Sequence, residues 1–150
     1  MEKEFELKLL KVSEGEVECK YKITETSEEG DCTDAEFHVK VAKPIHRDLL
    51  KLYEQDFAEV IAEIMGLGQS DKIVTTGVSF AGKNDNIRLS LMGEIFTAEG
   101  RVKVKVPGIR YKTGDSDICA KLTVYADKVV NEAYAYLFEG KTADVEVFGE

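Results

Sequence analysis

The sequence predicts an α+β domain of two layers. A mostly antiparallel sheet of about six strands carries two long helices on one face, in the order βββα-βββα. Three observations lead there. Apolar residues alternate with polar ones at a period of two in six stretches, the grammar of strands with one wet face. Two longer stretches place apolar residues at helical spacing. The strand links are short turns, which antiparallel neighbours permit and parallel ones do not.

The first half opens with Phe5, Leu7 and Leu9, expected on one face of a strand. Ser13-Glu14-Gly15 is a turn signal, so a hairpin leads into the next stretch. There Val17, Cys19, Tyr21 and Ile23 alternate with Glu18, Lys20, Lys22 and Thr24. The polar segment Thr26 to Asp34 reads as a loop. After it Ala35, Phe37, Val39 and Val41 alternate with Glu36, His38 and Lys40. Pro44 fits the first turn of a helix, where a missing N–H costs nothing. The stripe Ile45, Leu49, Tyr53, Phe57, Val60, Ile61 and Ile64 runs from there to the glycines at 66 and 68, which favour a helix stop.

The second half repeats the plan. Ile73, Thr75 and Gly77 are expected on one face, and Val74, Thr76, Val78 and Phe80 on the other. After the turn Gly82 to Asn86, a strand begins with Ile87, Leu89 and Leu91 and runs on to Phe96, with a bulge expected at Gly93. Val102, Val104 and Val106 alternate with Arg101, Lys103 and Lys105. A glycine-bearing loop at 107–117 ends at Ser116 or Asp117, either of which can cap a helix. The second helix carries Ile118, Leu122, Tyr125, Ala126, Val129, Ala133 and Leu137, and Gly140 stops it. Thr142 to Phe148 reads as a short seventh strand or a docking tail.

The halves, 1–68 and 69–150, also match in their letters. His38-Val39-Lys40-Val41 corresponds to Lys103-Val104-Lys105-Val106, about 65 residues on. Two copies are too few for a solenoid, so one pseudo-repeated domain is expected.

Composition narrows the function classes. The 150 residues suffice for a single domain with a real core, and 43% hydrophobic and 33% charged residues describe a globular chain. There is no apolar run of membrane-spanning length, and Met1-Glu2-Lys3-Glu4 has no leader-like apolar stretch behind it, so a cytoplasmic protein without membrane contact is expected. Three separated cysteines, Cys19, Cys32 and Cys119, make neither a zinc pattern nor a disulfide framework. The net charge of -9 is uneven: residues 1–68 carry -8 and residues 69–150 carry -1. That balance disfavours a nucleic-acid partner.

The motifs of chemistry are sparse. No phosphate loop, dinucleotide fingerprint or nucleophile elbow is present. Gly114-Asp115-Ser116-Asp117 lacks the rest of a calcium loop, and Asp56, Glu59 and Glu63 read as a solvated helix flank. His46 reads as a hydrogen-bonded residue at the helix start. No cofactor, metal or catalytic residue is therefore expected.

Two groups remain as candidate interaction surfaces. Arg101, Lys103, Lys105, Arg110, Tyr111 and Lys112 form a basic run without a carboxylate, with Tyr111 a stacking group. Tyr134 and Phe138 lie four apart on the second helix, off its main stripe, as does Val124. Such a helix often has two partners, here the C-terminal tail or another subunit.

The expected function is a non-enzymatic interaction or assembly module with a protein partner or self-association, a homodimer included. In character the chain resembles small accessory proteins of bacteria and phages, a likeness carried by no motif. Two alternatives stand beside it. One is a nucleic-acid-associated protein using strand 101–112, since a repeated strand-and-helix domain resembles sliding-clamp architecture. The other is a small-molecule enzyme using the 107–117 loop.

Overall fold

A computed structural model describes residues 2–13, 16–68, 72–82 and 84–142. The strands are β1 (Glu2–Ser13), β2 (Glu16–Thr26), β3 (Cys32–Val41), β4 (Ile73–Ala81), β5 (Arg88–Thr97) and β6 (Gly100–Ile109). One continuous helix runs as α1 (Arg47–Lys51), a π turn (Leu52–Asp56) and α2 (Phe57–Ile64). The last helix is α3 (Asp117–Phe138). The six strands form one antiparallel sheet in the order β3-β2-β1-β4-β5-β6, with the helices packed on one side of it. The α+β order read from the sequence is the order observed.

The halves meet where β1 pairs with β4. Only three residue pairs make this join: Leu9 with Ser79, Leu10 with Val78, and Lys11 with Gly77. Around the Leu10–Val78 pair the registers repeat. Cys19 and Val39 flank Leu10 on one side, as Leu91 and Val106 flank Val78 on the other. Leu7, Tyr21 and Phe37 correspond likewise to Thr75, Gly93 and Val104. The letters align Val39 with Val104, whereas the register aligns it with Val106. A slip of two keeps every side chain on its own face, so periodicity does not reveal it.

Each half also has a bulge at the same place, and this corrects two face assignments. An extra residue, Lys8 in β1 and Thr76 in β4, interrupts the alternation. Past Lys8 the core side passes to Leu10, which is fully buried, and Leu9 turns to the open side. Past Thr76, Val78 joins Ile73 and Thr75 in the buried set. The bulge expected at Gly93 lies instead in the strand opposite it. Gly93 serves close packing: a Cβ there would stand 2.9 Å from the Val74 carbonyl oxygen and 3.2 Å from Ile61 Cδ1. A further bulge in β6 falls at Pro107 and Gly108, on an edge strand where a residue without an N–H is tolerated.

Helix boundaries follow capping chemistry. The first helix starts at Arg47, later than Pro44. Ile45 is extended in a bridge to Thr142, and the Asp48 N–H donates to His46 Nδ1 at 3.1 Å, making buried His46 the cap. Ser116 Oγ accepts from the Cys119 N–H at 3.2 Å and caps α3. Gly66 and Gly140 take positive φ beyond the helix ends, the left-handed stop. The seventh-strand assignment beyond Thr142, with Val145, Val147 and Phe148, lies outside the described residues.

The two helical segments exchange places relative to the halves. The π turn and α2, from the first half, lie on β4 and β5 of the second. In turn α3, from the second half, lies on β1 of the first. Tyr53 in the π turn, 1% exposed, ties the layers together: its hydroxyl donates to the Leu10 carbonyl oxygen at 2.5 Å. Tyr53→Phe is expected to cost about 1–2 kcal/mol, because it strands a buried acceptor. The midpoint of urea unfolding checks this.

Candidate interaction surface

Five aromatic rings from four elements gather where α3 ends. Phe5 of β1 meets Tyr134 edge-on at 5.4 Å and Phe138 at 6.0 Å. Tyr21 of β2 meets Phe138 at 5.6 Å, and Phe37 of β3 stacks on Tyr21 at 5.0 Å. Such geometries contribute beyond the area they bury. The cluster is nonetheless unfinished. Phe37, Tyr134 and Phe138 remain 42%, 42% and 48% exposed, so a groove of about 540 Å³ stays open among them. Ile23 and Ala35 extend its apolar lining, and the Lys3–Glu25 ion pair (3.4 Å) sits at its edge.

The groove is open because α3 reaches across β1 and β2 while β3 extends past it. Every residue from Cys32 to His38 is exposed. Tyr134 and Phe138 were legible as a second apolar stripe. Phe5, Tyr21 and Phe37 were legible only as strand residues on the core side; that β3 would be left uncovered had no signal in the sequence. Val124, the other off-stripe residue, is exposed one face away.

The basic run divides. Arg101, Lys103 and Lys105 share the open side of edge strand β6, opposite Phe96, Glu94 and Met92. Glu94 lies 3.8 Å from Arg101, whose guanidinium also sits over the Phe96 ring at 5.3 Å. Arg110 and Lys112 are exposed beyond the strand. Tyr111 is buried, and burial raises its hydroxyl pKa, so it does not share the cationic surface as a stacking group. The aromatic groove and the basic strand lie at opposite edges of the sheet, about 24 Å apart at ordinary strand spacing.

Edge strand β3 carries Asp34, Glu36, His38 and Lys40 on its open side. His38 Nε2 donates to Glu18 Oε2 at 2.6 Å, and this hydrogen bond holds the Glu18 carboxyl below its usual range. Thr24 Oγ1 donates to Asp34 at 2.9 Å.

The remaining polar clusters are internally satisfied. His46, Asp48 and Glu132 converge as three donors of metal-ligating type. The Lys141 ammonium already stands among them, 2.9 Å from Asp48 Oδ2 and 2.8 Å from Glu132 Oε1, where a cation would sit. Asp48 is held below the usual carboxylate range by the Lys141 hydrogen bond. Burial pushes the Cys19 thiol up to about 12, which keeps it protonated and unreactive. The loop expected at 107–117 spans only 110–116, because β6 runs on to Ile109 and α3 starts at Asp117, and in it Gly114 packs so closely on Cys119 that a Cβ would collide with its sulfur.

No family model, curated protein or solved structure matches this chain. None of the described helices is long and apolar enough to cross a membrane.

Proposed function

We propose that this chain is a non-enzymatic assembly module that binds a second copy of itself beside the aromatic groove. One observation carries the reading. Three neighbouring rings stay about half exposed next to β3, which among the described residues has no strand on its outer side. Scattered apolar residues on a surface need no explanation, but a contiguous aromatic patch marks contact sites. A strand edge without a neighbour among the described residues can supply backbone hydrogen bonds to the same partner.

The nucleic-acid reading has less support. Its stacking residue is buried, and Glu94 lies among its cations. The enzyme reading has less again, since the loop between β6 and α3 is packed against the start of α3.

Sedimentation equilibrium tests the proposal. The expected result is a mass that rises above the monomer with concentration, and a weaker rise for Phe37→Glu. A monomer mass at every concentration would sink it.

A further inference from the structure

We infer that the assembly is a two-fold homodimer in which β3 of one copy pairs antiparallel with β3 of the other, the axis passing midway between the two opposed Phe37 residues. The inference rests on the self-association reading above and adds its strand, symmetry and register.

The charge pattern of β3 points to this axis. Along its open side the strand reads Asp34, Glu36, then His38, Lys40, with Phe37 at the middle. The order is antisymmetric about Phe37, two acidic positions before it and two basic-type positions after. A two-fold there sets Asp34 of each copy opposite Lys40 of the other, and Glu36 opposite His38. Directly opposed cross-strand pairs of opposite charge, here Asp34 with Lys40, stabilise a sheet and like charges oppose it, and His38 sets no second carboxylate against Glu36. On the helix side the same axis sets Ala35 opposite Val39, Thr33 opposite Val41, and Phe37 opposite its own copy. All five of these residues lie on the side that carries the open groove.

Backbone chemistry agrees. A two-fold through a residue pairs positions of equal parity, 34 with 40 and 36 with 38. Residues of equal parity present their N–H and C=O groups the same way across the edge, so donors meet acceptors along the strand. The register of β3 against β2 is unbroken from Cys32 to Val41, so no bulge bends the edge away. Both copies keep their helices on one side of a continuous twelve-strand sheet, because each contributes the six strands observed.

The other edge is built against such pairing. A two-fold through β6 would oppose Arg101, Lys103 and Lys105 with themselves, and aligned edge cations block self-association. The dimer is therefore closed, with β6 free at both ends.

Charge exchange gives the test, read by sedimentation equilibrium with the thermal midpoint of each variant as a check on folding. Asp34→Lys should weaken the dimer by about tenfold, since the two-fold repeats each lost pair. Asp34→Lys with Lys40→Asp should restore it, because the reversed pattern is again antisymmetric. Lys105→Glu should leave it unchanged. A wild-type dimer indifferent to all three changes would overturn the inference and leave self-association standing. A dimer lost in Asp34→Lys, not rescued by Lys40→Asp and weakened by Lys105→Glu, would place β3 on β6, head to tail, and overturn it. A wild-type chain that stays monomeric would overturn both readings.

Discussion

Leu10→Ala is expected to destabilise the protein by about 2–5 kcal/mol, while Leu9→Ala should cost about 1 kcal/mol or less. Strict alternation from Phe5 and Leu7 would give the opposite ranking. The structure reverses it because Lys8 is an extra residue in β1. Leu10 is then 0% exposed and stands opposite Val78, which is also 0% exposed, at the three-pair join between the halves. Tyr53 closes over the same residue through its hydrogen bond to the Leu10 carbonyl. A cavity there cannot collapse easily, since strands flank it on both sides and a helix lies above. Urea unfolding of the two single mutants measures the ranking, and equal losses would contradict the bulge.

Lys141→Met should cost about 2–3 kcal/mol and flatten the acid limb of the stability profile. Lys141 bridges α1 and α3 by contacting Asp48 and Glu132 together. Lys141 and Glu132 are mostly buried, so the substitution leaves a desolvated carboxylate without its cation. Asp48 is half exposed, and solvent screens its share. The direction with pH follows from the lowered Asp48 carboxyl, which ordinarily titrates near 3.8. A group depressed in the folded state stabilises fully above its unfolded value. That contribution is lost as pH falls from about 4 through the lower folded value. At the other extreme, burial opposes the Lys141 charge, but its hydrogen bonds to Glu132 and Asp48 raise its pKa above the ordinary 10.5. Its contribution is present below 10.5 and lost at higher pH. Unfolding midpoints of the wild type and Lys141→Met between pH 3 and 7 should therefore converge as the solution becomes acidic.

The class and element order were legible because periodicity reports which side of an element is wet. What periodicity cannot report is a change of phase. The Leu9-Leu10 doublet and the run Val74 to Val78 each hide a bulge, and past it the core residue, Leu10 or Val78, lies on the face opposite to the one that alternation from the buried start of the strand gives. The helix start at Arg47 was missed for a related reason. Pro44 is compatible with a first turn, but the His46 ring caps two residues later. At the site, the spare apolar stripe of Tyr134 and Phe138 could be read from helical spacing. Their neighbours could not, since Phe5, Tyr21 and Phe37 reach them only through the pairing of three strands. Tyr111 had the sequence context of an exposed residue between two cations, and tertiary packing overrode it.

The exchange of helices between the halves governs how the chain comes to be folded. A nascent chain that has presented only its first sixty-eight residues holds a helix whose sheet, β4 and β5, does not yet exist. It also holds a hairpin pair whose cover, α3, is the last described helix to be made. Apart from contacts such as Tyr53 with Leu10, most of the cover of each half's sheet comes from the other half. Folding must therefore wait for contacts between residues more than a hundred positions apart, such as Phe5 with Tyr134. Topologies of that kind fold slowly, since loop closure must precede its reward. Until then the unpaired strands and open aromatics are exposed together, the state in which a chain of this topology is most prone to aggregate.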